Sequence, residues 1–224
     1  MELQVIKTME PQIHSTAVID PSAVIHKNVT IGPYTVIGPN CEIGEGTEIG
    51  PHVVIDRNVK IGRNNKIYAF AALGGDPQDL KFQGEHSSVV IGDSNLIREY
   101  TTIHRATGEG CETHIGSFNM LQAYVHVAHN CCIGNHIVIS SFSGLAGHVT
   151  IEDRATVGGM VGFHQFVKVG RNSMIGGMSR IVQDICPFVI VEGNPARVFG
   201  LNNVSMARNE ISPEVKSDLK KAYR

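Results

Sequence analysis

Among the eleven histidines of this 224-residue chain, His126, His129, His148 and His164 fall in one stretch that also holds Gln165. An imidazole with a free ring nitrogen takes a proton from a hydroxyl and returns it to a leaving group, so the set suits general acid–base transfer. Gly147, just before His148, adds a main-chain N–H with no side chain in front of it, a donor suited to a developing oxyanion. Two other chemistries compete. His126-x-x-His129 with a third histidine would suit zinc, although no Cys-x-x-Cys accompanies it. Histidines at turns also serve simply as partners for main-chain carbonyls. Covalent catalysis lacks its parts: there is no Gly-x-Ser-x-Gly elbow, and Cys131-Cys132 has no basic neighbour to activate a thiol. Cys131 takes a small inward position and is expected in the core.

These groups act together only if the chain winds them together, and its periodicity does so. Counting by sixes from Ile13 to Ile181 gives 29 positions, of which 26 are Ile, Leu, Val or Phe, and glycine follows twelve of those 26. A period of six is neither helical nor the simple alternation of a strand. It marks a hexapeptide parallel β-helix, in which three hexads make one turn of a prism and residues 18 apart stack. Divided by 18, the positions of His126, His164, His129, Gly147, Gln165 and His148 leave remainders 0, 2, 3, 3, 3 and 4. The spacing therefore predicts one edge carrying imidazoles on three successive coils, with the His129 and His148 backbones roughly 5–8 Å apart.

Polar stretches interrupt the repeat at 75–89 and 105–114, and the three polar hexad positions, Asp79, Glu85 and Glu109, lie within them. Phase survives both, since 18 residues separate Leu73 from Ile91 and 12 separate Ile103 from Ile115. The first stretch reads as a functional loop on a stiff scaffold and the second as a solvated excursion. Cys186-Pro187 ends the repeat, which divides the chain into a prism of residues 1–186 and a segment of 187–224. That segment begins as an irregular connector and ends in a helix started by Ser212-Pro213-Glu214, with Val215, Leu219 and Ala222 as a modest apolar stripe. Sparsely charged outward positions such as Val36 and Val54 predict a homo-oligomer, most simply a trimer of parallel prisms.

Bulk properties exclude several functions. A net charge of −2 and a pI near 6.6, with basic residues gathered only at Lys216, Lys220, Lys221 and Arg224, argue against nucleic acid. Five cysteines, an odd count with one vicinal pair, read as reduced thiols of a cytoplasmic protein. Met1–Glu10 has no signal-peptide core, and no apolar run approaches the ~18 residues of a membrane span.

Several segments are more specific than the repeat: Gln78-Asp79-Leu80-Lys81, Ile97-Arg98-Glu99, Thr102-Ile103-His104-Arg105, Val127-Ala128-His129, Leu145-Ala146-Gly147-His148, His164-Gln165-Phe166 and Gly193-Asn194-Pro195. In them the chain resembles the acyl-carrier-protein-dependent UDP-N-acetylglucosamine O-acyltransferases that begin lipid A synthesis. The resemblance implies an all-β, left-handed parallel β-helix with a short C-terminal helical segment, where general crossover rules would give the right hand. It implies a homotrimer, with acyl carrier protein and UDP-N-acetylglucosamine as partners. No metal or dissociable cofactor is implied, the 3-hydroxyacyl donor riding on the carrier's phosphopantetheine. His129 would be the base that deprotonates the sugar 3-hydroxyl, and Gly147 the oxyanion donor. Asp79, Lys81, His126, His148, His164 and Gln165 would hold the sugar and phosphates, Asn202 and Arg208 the nucleotide end, and Met174 and Gly177 the acyl groove. The related N-acyltransferases share the repeat and a His-Asn pair like His129-Asn130, but they carry an extra N-terminal domain, and here the repeat starts at Ile13. A non-catalytic UDP-sugar scaffold is the remaining alternative. The chain departs from the family pattern at Asn130, where aspartate is frequent, and at Val204 and Asn209. It also stops at Arg224, before the further helices expected to help dock the carrier.

Overall fold

The computed structural model describes residues 10–223. Residues 1–9, part of the expected N-terminal domain and of the segment read as lacking a signal core, lie outside it, as does Arg224 of the basic cluster. From Gln12 to Ile181 the chain forms strands of mostly two residues that wind into three parallel sheets, of nine, nine and eight strands, making a left-handed parallel β-helix; a C-terminal hairpin brings the first of these sheets to eleven strands. Each hexad places its aliphatic inward, and these residues stack on their equivalents above and below: Ile49, Ile67, Ile97, Leu121, Ile139, Val157 and Ile175 form one column in strict register. Each of these coils thus buries a branched aliphatic against another.

Turning a corner within six residues places a left-handed residue three positions after most of the inward aliphatics. Asparagine fills many of these places, but one corner uses rings, with φ of 58° at Tyr34 and 62° at Tyr124. Such a conformation costs an ordinary L-residue about 1–2 kcal/mol. On this corner Tyr34, His52, Phe70, Tyr100, Tyr124 and Phe142 stack with centroids 4.8–5.1 Å apart. Stacking at about 0.5–1.5 kcal/mol per pair offsets much of that strain.

Both interruptions emerge at a single edge. The strands Ala72–Gly75 and Thr102–His104 belong to the nine-stranded sheet, whereas Ser88–Ile91 and Glu112–Ile115, which follow the loops, belong to the eight-stranded one. The stacking interval changes accordingly: Ala72 pairs with Thr102 and Thr102 with His126, so the step of 18 holds only outside the loops. The residues that break the hexad fasten the loops. Asp79 accepts the Lys81 N–H, Glu85 accepts those of Gln83 and Gly108, and Glu109 accepts that of His86. Arg105, buried, donates to the Gly74 carbonyl and pairs with Asp76 at the root of the first loop. The second loop, expected as a solvated excursion, is instead tied to the first and to the prism, because the Gly108 N–H donates to Glu85, the Gly110 N–H to the His86 carbonyl and the Thr107 N–H to the Asn130 carboxamide.

Beyond Cys186 the segment expected to be irregular forms an antiparallel hairpin, Val189–Gly193 with Ala196–Leu201, whose first strand extends the eleven-stranded sheet through Met174↔Ile190. Helix α1 (Asn203–Arg208), unanticipated, follows, and α2 (Pro213–Tyr223) matches the expected start, with the Ser212 hydroxyl accepting the Val215 N–H. No residue of α2 is fully buried: Val215 and Ala222 of its apolar stripe are exposed, while Leu219 is half-buried. All five cysteines are free thiols, and burial pushes Cys131 up to about 12.

Candidate active site

The edge that carries both loops also carries His129, in the turn between strands His126–Val127 and Cys132–Ile133. The imidazole is 8 % exposed, wedged between the next coil and the first loop. Its Nδ1 lies 2.8 Å from the Asn130 carboxamide oxygen. That oxygen also accepts the Thr107 N–H at 2.9 Å, while the Asn130 NH₂ donates to the Thr107 carbonyl at 3.0 Å. Since the oxygen only accepts, the neutral ring carries its proton on Nδ1 and has its lone pair on Nε2. Nε2 is 4.0 Å from an Asp79 carboxylate oxygen.

Gly147 sits one coil above. A Cβ there would stand 2.4 Å from His129 Cε1 and 2.5 Å from Nε2, so only a bare glycine lets the ring lie against the main chain. Its carbonyl accepts the Phe166 N–H, whereas its own N–H donates to none of the described residues. His148 meets His129 edge to face at 5.2 Å and stacks on Phe166 at 4.5 Å. His126 lies 2.8 Å, through Nδ1, from the Thr102 hydroxyl and 5.3 Å from the ring of His104. Burial depresses the basicity of His126 and of His148, and the neighbouring imidazoles add to it. The Lys81 N–H holds Asp79 below the usual carboxylate range, with His129 adding to the effect.

His126, His129, Gly147 and Gln165 line one cavity of about 310 Å³, joined by Gln78 from the first loop. Asp79 and His148 flank it, Lys81 opens toward a second hollow between the loops, and His164 is exposed with Nδ1 3.2 Å from the Gln165 carbonyl. The structure does not bring the rest of the expected set here. Met174, Asn202 and Arg208 line a separate cavity of about 670 Å³ against the eleven-stranded sheet, with His136 and Arg154. Gly177 occupies a different corner, facing the Gly159 carbonyl. Asn202 is already engaged: its side chain caps α1 through the Ser205 N–H and donates to the Asn172 carbonyl. Asn209 likewise bonds Asn172 and Ser205. Among the described residues no group of three or more His, Cys, Asp or Glu is arranged to hold a metal ion. Sequence reasoning missed Thr107 and Thr102, whose loop-shifted positions no fixed interval reveals.

A prism of hexads with a base-bearing edge defines a hexapeptide-repeat transferase. The bacterial transferase hexapeptide profile matches residues 10–44, 22–57 and 40–75, and the profile described as UDP-N-acetylglucosamine O-acyltransferase, domain 2, matches 184–224. The acyl-[acyl-carrier-protein]–UDP-N-acetylglucosamine O-acyltransferase of Burkholderia lata is 48 % identical over 214 residues, covering 95 % of this chain and 82 % of its own. That of Synechocystis is 51 % identical over 160 residues, and the match spans only 58 % of the relative's length. The UDP-N-acetylglucosamine O-acyltransferase of Moraxella catarrhalis superposes with a TM-score of 0.91 at 44 % identity, over 95 % of this chain and 83 % of that one. The Arabidopsis UDP-N-acetylglucosamine acyltransferase gives 0.80 at 34 %, over 95 % and 82 %. The chain belongs to the acyl-[acyl-carrier-protein]–UDP-N-acetylglucosamine O-acyltransferase family.

Proposed function

We propose that the chain moves a 3-hydroxyacyl group from the phosphopantetheine thiol of acyl carrier protein to the 3-hydroxyl of UDP-N-acetylglucosamine, the opening step of lipid A synthesis. One observation carries this reading: the Asn130 oxygen accepts a hydrogen bond from the Nδ1–H of His129 and leaves Nε2 as a base at the cavity beside Gly147. The sugar hydroxyl gives its proton to Nε2 as its oxygen attacks the thioester carbonyl. The carbonyl electron pair moves to oxygen, where the Gly147 N–H donates to it. Collapse breaks the C–S bond, and the departing thiolate takes the proton back from the imidazolium. Ester and thiol result, so atoms and protons balance with the two substrates alone, without metal or dissociable cofactor.

Asp79, Lys81, His126, His148, His164 and Gln165 surround this position and would hold the sugar and phosphates. Met174 and Gly177 would guide the acyl chain. Arg208 and Arg154 give the larger cavity, which His136 also lines, a cationic wall without a carboxylate, suited to a phosphate of the nucleotide or carrier. Asn202 shapes that wall by capping α1. The two cavities lie on different sides of one prism, so a complete site takes the second from a neighbouring copy, which supports a homotrimer of parallel prisms. Val18, Val36 and Val54, all exposed on the nine-stranded sheet, supply apolar surface for such contact. Residues 1–186 would form the catalytic prism and 187–224 the unit that completes the neighbour's site. Free thiols and a carrier-bound substrate support a cytoplasmic location for the enzyme, and among the described residues no helix is long and apolar enough to cross a membrane.

His129→Ala should lower the transfer rate about 10²–10⁴-fold, the usual worth of a general base, while far-UV dichroism and sedimentation stay unchanged. An undiminished rate with 3-hydroxyacyl carrier protein rejects the proposal.

A further inference from the structure

We infer that the 105–111 loop selects the tautomer of His129 by clamping the Asn130 carboxamide, so that Asn130 and the Thr107 main chain are positioning groups for the base. The catalytic half of this inference rests on the acyltransferase reading; the tautomer half does not.

The clamp has a sense that cannot be reversed. With the amide as placed, its oxygen accepts both the Thr107 N–H at 2.9 Å and the His129 Nδ1–H at 2.8 Å, and its NH₂ reaches the Thr107 carbonyl at 3.0 Å. Turned over, donor would face donor and acceptor would face acceptor at Thr107, exchanging two hydrogen bonds for two repulsions. A second anchor, the Asn130 N–H to the Thr113 hydroxyl at 2.9 Å, fixes the backbone. Asn130 has φ of 58°, a conformation asparagine tolerates better than most side chains. His129 therefore always meets an oxygen. The imidazole cannot exchange its Nδ1 proton for one on Nε2 without losing that bond.

The same geometry accounts for an amide where an acid might have served. A carboxylate at position 130 would still accept from His129 and from the Thr107 N–H. Its second oxygen would then confront the Thr107 carbonyl with no proton between them. The loop backbone thus reads asparagine. The second loop, one coil below the base, is part of the catalytic apparatus rather than a surface excursion. Other charged or titratable groups around the ring are Asp79 at 4.0 Å from Nε2, His148 at 5.2 Å between ring centroids, His126 on the preceding strand and Lys81 near Asp79. None of them touches Nδ1.

The test uses the full chain with ¹⁵N-labelled histidine, and His129 assigned by the signal lost in His129→Gln. Long-range ¹H–¹⁵N spectra across pH report the tautomer, and steady-state kinetics are run with UDP-N-acetylglucosamine and 3-hydroxyacyl carrier protein. The wild type should show the neutral ring protonated at Nδ1. Asn130→Gly keeps the backbone conformation without strain and removes the amide. It should populate the Nε2–H form and lower kcat about 10- to 100-fold, short of the loss of the base itself, with KM for the sugar changed by less than about twofold. Asn130→Asp should keep the Nδ1–H form, move the acid limb of the rate profile to higher pH, and speed hydrogen exchange over 105–111. An Nε2–H ring in the wild type, or an unchanged tautomer and kcat in Asn130→Gly, overturns the inference. If the tautomers behave as stated but no acyl transfer is detected in any form, the acyltransferase reading fails and the clamp stands.

Discussion

Replacing Gly147 by alanine asks a sharp question of this site. The added methyl would lie 2.4 Å from His129 Cε1 and 2.5 Å from Nε2, about 1 Å inside normal carbon contact. Gly147 has negative φ, so the backbone accepts alanine without strain. His129 is buried and held at Nδ1, so relief must come from moving the ring, the Asn130 clamp or the coil above. Overpacking of this kind costs about 1–3 kcal/mol of stability, which a prism with so long a core should survive. A displacement of about 1 Å in a reacting group costs roughly 10²-fold in rate, and hindering an oxyanion donor costs about 10²–10³-fold. Because both act on one transition state they do not simply multiply, and kcat should fall about 10²–10⁴-fold. Steady-state kinetics beside thermal unfolding would measure this, with Gly162→Ala as control, since a Cβ there meets nothing within 4 Å. A Gly147→Ala enzyme with wild-type kcat would refute the argument that His129 and the Gly147 N–H share one reacting centre.

Two further outcomes follow from the loops and the second cavity. Glu85 is held below its ordinary value of 4.5 chiefly by the Gly108 N–H, so the stabilisation it gives is complete above that value and is lost as pH falls through its folded value. Hydrogen exchange at the Gly108 and Gln83 amides should accordingly lose protection below about pH 4.5, and Glu85→Gln should show the loss at neutral pH; protection independent of both would contradict the stapling role. Arg208→Ala should raise KM for one of the two phosphate-bearing substrates about tenfold, roughly 1.4 kcal/mol, with kcat little changed. A KM unchanged from wild type for each substrate would remove the cationic wall from the site.

How far the sequence could be read depended on whether a fixed interval applied. The hexad period placed every coil from Ile13 to Ile181, and above the loops the step of 18 set Gly144 beside His126 in true register. It failed across the insertions, where Thr102, 24 residues from His126, is the residue that bonds its ring. The Asn130–Thr107 clamp was hidden for the same reason, because its partners are 23 residues apart through a loop of no period. The C-terminal hairpin left a fainter trace. Val189–Val191 and Val198–Leu201 flank a Gly-Asn-Pro turn, a strand signal outweighed by the irregular look of its prolines. Helix α1, at six residues, is too short to show an apolar face, and only Asn202 as a cap announced it.

The parallel ladders join each coil only to the coils directly above and below it. His129 and its companions occupy the storeys from the first loop upward, while the coils from Ile13 to Ile61 serve as a plinth beneath them. Removing or duplicating one whole storey of that plinth would change the height of the tower and leave every reacting atom in its place.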